Sequence, residues 1–278
     1  MELRILQYFL AVAREQSISA AAESLHLSQP TLSIQLKALE EELGKQLLIR
    51  GTKGSRKVLL TDEGMILRKR AEEILTLVQK AKSEVQMTDA SIAGDVYIGA
   101  GETDIIRYFA RAAKRMKKSC PDIRYHISSG NAQFVTEQLD KGLIDFGLMY
   151  GPVDRTKYEA LTLPIGDRFG VLMRRDDPLA QKEWISPEEL RDKPLILSAQ
   201  DRSEGWTVSS QIRQDVSHLN VAATYNLIFN ASLMVEEGLG YAVCLDKLIN
   251  TSGDSQLCFL PLRPEIVITP SIVWKRYQ

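Results

Sequence analysis

Ser28, Gln29, Pro30, Thr31, Ser33, Gln35 and Lys37 crowd one short stretch with side chains suited to hydrogen bonding rather than to catalysis. Glutamine can pair bidentately with an adenine edge, and serine or threonine can reach a base or a phosphate. Lys37 suits a phosphate or guanine, and Pro30 offers an apolar edge to a thymine methyl. Such residues do this work when they sit near the N-terminus of a helix that enters a DNA major groove. The amides at that helix end also attract phosphate.

The surrounding elements match that role. Leu6, Phe9, Leu10 and Ala13 form a helical stripe within residues 3–15. Ser19 is a plausible N-cap for a short alanine-rich helix over residues 20–25, and His26-Leu27 is a break. Ser28 caps the next helix, with Pro30 in its first turn. Leu32, Leu36, Leu39 and Leu43 provide its buried face, and Gly44 ends it. Two apolar runs, residues 47–49 and 58–60, then flank a polar segment containing Gly51 and Gly54, which reads as two strands and the tip of a wing. No acidic residue lies between Leu43 and Thr61, so Arg50, Lys53, Arg56 and Lys57 are placed to grip the DNA backbone or enter a minor groove.

The chain has 278 residues and a net charge of −1, which suits two or three domains and excludes a general polyanion binder. The first sixty residues nevertheless carry a slight positive excess, gathered towards the wing. From Thr61 a long helix begins. Leu67, Ala71, Ile74, Val78, Ala81 and Val85 recur at alternating steps of four and three along it, a heptad seam that predicts a partner helix and hence a dimer. Residues 88–94 are polar and read as a hinge. Beyond them strands and helices alternate, predicting two α/β lobes joined by crossing strands. The expected division is a DNA-binding head over 1–60, a dimerisation helix over 61–88 and an effector domain over 89–278. Its first lobe takes about 94–163 and 261–278, and its second about 164–260.

Ligands of open α/β folds sit outside the carboxyl ends of the strands. The junctions there carry Gly101, Glu102 and Thr103; Ser128, Ser129 and Asn131; Ser198 and Arg202; and Asn230 and Ser232, with Met149 where the lobes would cross. Hydroxyls beside free helix amides suit a carboxylate or similar anion. The same residues are also ordinary helix caps. Glu102 is awkward for an anionic ligand: it could point outward, pair with an arginine such as Arg202, or favour a polar or cationic one.

Catalysis is a weak alternative. His26, His126 and His218 have no nucleophile–base setting, and Cys120, Cys244 and Cys258 lack metal or redox spacing. Gly99-Ala100-Gly101 lacks the rest of a dinucleotide fingerprint, so neither cofactor nor metal is expected. Met1-Glu2-Leu3-Arg4 runs straight into an amphipathic helix, with no leader and no spanning apolar run, which predicts a cytoplasmic protein without membrane contact. A solute-binding module would explain the later two thirds but not the head, and an architectural DNA protein would explain the head alone.

Taken together, Leu6-Gln7-Tyr8-Phe9, Ser17-Ile18-Ser19-Ala20-Ala21-Ala22, Leu25, Ser28-Gln29-Pro30-Thr31-Leu32-Ser33, Leu36, Leu39-Glu40, Leu43-Gly44, Leu47 and Leu60-Thr61-Asp62-Glu63-Gly64 resemble the LysR-type transcriptional regulators. The resemblance is strong in the first quarter and weaker afterwards. It implies an N-terminal winged helix-turn-helix, all-α with a small β wing, then a long linker helix, then a two-lobed α/β effector domain like periplasmic binding proteins. It also implies promoter DNA, a second or further copies of the chain, RNA polymerase and a small-molecule effector as partners. Two departures stand out. Ile34 occupies a position where many members carry arginine, and the chain ends at Gln278 where members continue into a further helix.

Overall fold

The structure is a computed structural model that describes residues 1–51, 57–86, 92–199 and 219–276. Two compact units divide it at Met87/Thr88.

The first unit opens with α1 (Leu3–Glu15), α2 (Ile18–Ser24) and α3 (Gln29–Leu43). Ser17, not Ser19, caps α2: its hydroxyl accepts the Ala20 amide, and Ser19 lies inside the helix. The turn between α2 and α3 places His26 at φ 55°, a left-handed conformation. Ser28 caps α3 by accepting the Thr31 amide at 3.2 Å, and Gly44 ends it at φ 64°. Leu32, Leu36 and Leu39 bury one face of α3 against Phe9 and Val12 of α1 and Ala21 and Ala22 of α2. Burying each large aliphatic side chain stabilises the head by about 1.5–3 kcal/mol. Leu43 departs from the expected stripe and is 41% exposed. On α1 the buried face takes in Ile5, Ala11 and Val12, while Leu10 and Ala13 are half-buried.

The wing strands β1 (Leu48–Arg50) and β2 (Val58–Leu60) pair antiparallel, Leu48 opposite Leu60. The wing tip, with Lys53 and Arg56, lies outside the described residues. Next comes α4 (Asp62–Gln86), whose first turn is tied down by Thr61. The Thr61 hydroxyl accepts the Gly64 amide and donates to the Gln46 carbonyl. Gly64 has no room for a side chain, since a Cβ there would meet the Leu47 carbonyl oxygen at 2.2 Å.

The second unit holds two sheets. The first has the order β4-β3-β5-β13-β6, built from β3 (Gly94–Ala100), β4 (Ile123–Ser129), β5 (Phe146–Tyr150), β6 (Tyr158–Thr162) and β13 (Pro270–Lys275). β3 runs parallel to β4 and β5, and β13 runs antiparallel to β5 and β6. α5 (Ile106–Met116) and α6 (Ala132–Asp140) connect the parallel strands. Val135 and Leu139 of α6 pack with Ile144, Tyr158 and Val273.

The second sheet has the order β11-β7-β10-β8-β9, with β12 also pairing β7. Its strands are β7 (Asp167–Arg174), β8 (Leu195–Ser198), β9 (Val221–Tyr225), β10 (Tyr241–Leu245), β11 (Leu257–Pro261) and β12 (Val267–Ile268). α7 (Ile228–Glu236) covers one face through Ile228, Ala231 and Val235. Residues 207–215, which the alternation of strands and helices would make a helix, lie outside the described residues.

The strand alternation therefore yields two α/β lobes. The chain returns to the first lobe later than position 261, because β11 and β12 both pair with β7. β6 is an edge strand whose sequence has no alternating pattern to mark it, and pairing with β13 defines it.

Candidate nucleic-acid interface and effector cleft

The exposed side of α3 carries Gln29, Pro30, Thr31, Ile34 and Lys37, with Ser33 and Gln35 half-buried. Ser28 and Thr31 also share a hydroxyl–hydroxyl hydrogen bond of 2.7 Å. The cap thus orients Thr31 as well as holding its amide. Lys37 lies 3.5 Å from Glu41 one turn on. Arg50 of β1 donates to the Ser33 hydroxyl at 3.4 Å and lies 3.6 Å from Glu40, so polar contacts join the first wing strand to α3.

Glu40 is the residue that sequence reasoning missed here. Its carboxylate accepts the Leu47 amide at 2.8 Å and the Leu48 amide at 3.0 Å, fixing where the wing leaves α3. The Val58 amide donates to the Gln16 carbonyl and ties the second wing strand to the end of α1. Lys57, just before β2, is exposed.

On α4, Ala71 is fully buried and Leu67 packs against the head's core. Ile74 and Val78 are half-buried, and Ala81 and Val85 are exposed, Val85 by 85%. The heptad stripe therefore begins as an internal contact of the head and becomes exposed along its length.

In the second unit the parallel strands end together at Ala100, Ser129 and Tyr150 in one lobe and at Ser198, Tyr225 and Leu245 in the other. Among the described residues, side chains from the first lobe's strand ends cross to the second. Thr103 donates to Asp167 at 2.5 Å, and both are buried. Tyr150 donates to the same carboxylate oxygen. Burial, and then this hydrogen bond to Asp167, push the Tyr150 hydroxyl far above its usual value. Glu102 accepts the backbone amide of Ile228, the first residue of α7, at 2.5 Å.

The other expected cleft residues separate. Asn131 caps α6 by accepting the Phe134 amide at 2.8 Å. Ser128 and Ser129 end β4 exposed, and Ser198 ends β8 half-buried. α7 starts at Ile228, so Asn230, a good cap by type, lies inside the first turn and is exposed. Ser232 is buried and donates to the Phe229 carbonyl of its own helix. Gly101 is half-buried beside the Gly130 carbonyl. Met149 lines a cavity of about 650 Å³ together with Tyr150, Pro152 and the α6 residues Gln133, Thr136 and Glu137. Arg202 lies outside the described residues. Away from the cleft, His126 contacts Asp95 at 2.8 Å and stacks on Tyr97. That hydrogen bond is the main reason the Asp95 carboxyl titrates below its usual range; Arg124 adds to it, and burial opposes it.

A winged helix-turn-helix head followed by a two-lobed α/β domain, with polar contacts joining the lobes at their strand ends, is the build of a ligand-responsive DNA-binding regulator. The family model of the bacterial regulatory helix-turn-helix protein, lysR family, matches residues 3–65, and that of the LysR substrate binding domain matches residues 89–278. The chain belongs to the LysR family of DNA-binding transcriptional regulators with an effector-binding domain, and not to an enzyme family. It is 36% identical to the HTH-type transcriptional regulator BsdA of Bacillus subtilis, across 99% of this chain and 94% of that protein. An uncharacterized HTH-type transcriptional regulator, YvbU of Bacillus subtilis, is 27% identical across 97% of this chain and 87% of its own length. Full-length CbnR crystallised with its target DNA shares the fold, with a TM-score of 0.76 at 20% identity, covering 100% of this chain and 94% of that one. Among the described residues, no helix is long and apolar enough to cross a membrane.

Proposed function

We propose that this regulator acts in the cytoplasm as a homodimer, or as a homotetramer formed by two such dimers, on a roughly palindromic promoter site. Two recognition helices α3 read base edges through Gln29, Pro30, Thr31, Ser33, Gln35 and Lys37. Arg50, Lys53, Arg56 and Lys57 of each wing hold the sugar–phosphate backbone. Ser28, placed at the helix end, orients Thr31, while Ser19 sits on the exposed side of α2 and would meet phosphate. What supports this reading is the capped end of α3 together with Ser33, further along the helix, bonded to Arg50 of the wing, so that polar side chains of helix and wing are held together.

Pairing runs along α4. Leu67 and Ala71 anchor the helix to its own head, and the outer seam of Ile74, Val78, Ala81 and Val85 meets the second copy. A small-molecule effector binds between the lobes at the end of β3, beside Gly101, Glu102 and Thr103, with Ser128, Ser129 and Ser198 at neighbouring strand ends. Its differential affinity for two lobe arrangements resets the spacing of the DNA heads and their engagement with RNA polymerase.

Binding-site selection from random duplex, followed by footprinting, tests the DNA contacts. Recovery of a paired motif protected on one face supports the reading, and uniform affinity for all duplexes overturns it. Sedimentation of wild type and Val78→Glu tests the seam: the variant should shift towards monomer.

A further inference from the structure

α7 begins without a cap of its own. Leu227 stands at its N-cap position, and an apolar residue there cannot accept an amide. The Ile228 amide is instead satisfied by Glu102, 126 positions away and in the other lobe. The next residue, Thr103, crosses to the same lobe and donates to buried Asp167, which Tyr150 also holds. The loop after β3 is thus pinned through Thr103, with Glu102 aimed at a helix end that carries partial positive charge. A carboxylate sits where the helix dipole and a free amide favour one, and the protein itself supplies it.

We propose that Glu102 is an internal ligand of the effector cleft and the residue that sets the charge of the effector. It fills the anion position at α7, so a simple carboxylate entering the cleft meets both an occupied amide and a like charge. An effector of the wild-type protein therefore presents donors to Glu102, as an amine, amide or hydroxyl does, and leaves the Ile228 amide to the protein. This rests on the reading that effectors bind between the lobes, and it replaces the expectation of a carboxylate effector with one of a donor-bearing ligand.

Acetate tests this on the full-length protein, because it is the fragment that Glu102→Ala removes. Ile228 amide exchange and thermal melting are followed with and without acetate in wild type, Glu102→Ala and the similarly sized Glu102→Gln. In Glu102→Ala the Ile228 amide should exchange at least about tenfold faster, as expected for loss of a charged acceptor. Acetate should restore protection saturably in that variant and leave wild type unchanged at matched ionic strength. Glu102→Gln, which keeps an uncharged acceptor, should fall between them. Unchanged Ile228 exchange in both variants, or equal acetate stabilisation of wild type and Glu102→Ala, overturns the proposal. These readouts use neither DNA nor the natural effector. Their failure leaves the cleft standing as a binding site, whereas a wild-type cleft that binds no metabolite at all, with Ile228 protected by Glu102, overturns the cleft reading instead.

Discussion

α3 in the head and α7 in the effector domain both start at a capped amide, but the caps come from different distances. Ser28 serves Thr31, three residues along. Glu102 serves Ile228 from 126 residues away. The first cap belongs to the helix and forms whenever the helix forms. The second exists only while two lobes hold their relative position, so it reports a conformation as well as a fold. Recognition of a fixed duplex calls for the first kind of cap, and response to a ligand for the second.

The largest expected effect falls on the head's own core. Leu36→Ala opens a cavity beneath the recognition helix and should cost about 2–5 kcal/mol in chemical denaturation, abolishing DNA binding through unfolding. Gln29→Ala should leave the denaturation midpoint in place and lose about 1–3 kcal/mol of discrimination at one base position of the selected site. If both variants lost DNA binding through unfolding alone, α3 would be a packing element rather than a reader.

Tyr150→Phe sharpens the other side of the comparison. It removes one donor to buried Asp167 and should cost about 1–3 kcal/mol in the effector domain's unfolding. Because the native Tyr150 hydroxyl holds its proton above the ordinary value of 10.0, wild-type stability should be complete below about pH 10 and fall as pH rises further. Melting curves from pH 9 to 11 should show that slope in wild type and a shallower one in the variant. Ser28→Ala should cost about 0.5–2 kcal/mol and weaken DNA binding, with Ser28→Asp recovering most of the stability. The smallest effect is expected from Lys57→Ala: affinity for every duplex should drop alike, with the salt slope shallower by about 1.

The contrast between the caps also explains what could be read from the chain. α3 was legible from its first to its last residue because Ser28, Pro30, the leucine stripe and Gly44 are all local signals. Periodicity gives the side on which Leu43 lies but not how far the core extends, and Leu43 falls beyond it. Ser17 and Ser19 are equally good caps in isolation. The choice turns on which hydroxyl reaches an amide three residues on, and Ser17 meets Ala20. The start of α7 is not legible locally: Asn230 is a good cap by type and Leu227 a poor one, while the group that settles its start lies in another lobe. The part of the cleft that comes from strand ends was legible at Glu102 and Thr103. Asp167 was not, since a carboxylate opening a strand gives no sign in sequence that two hydroxyls will converge on it.

The position of β13 bears on how the molecule is made. Residues 270–275 insert between β5 and β6, so among the described residues β6 gains its partner strand only when the chain has passed through the second lobe and returned. The second sheet is drawn wholly from residues 167–268, one continuous stretch, and can close without the rest of the domain. Closing the first sheet therefore waits on a contact that spans the whole second lobe, and that long loop makes it the slower of the two sheets to form.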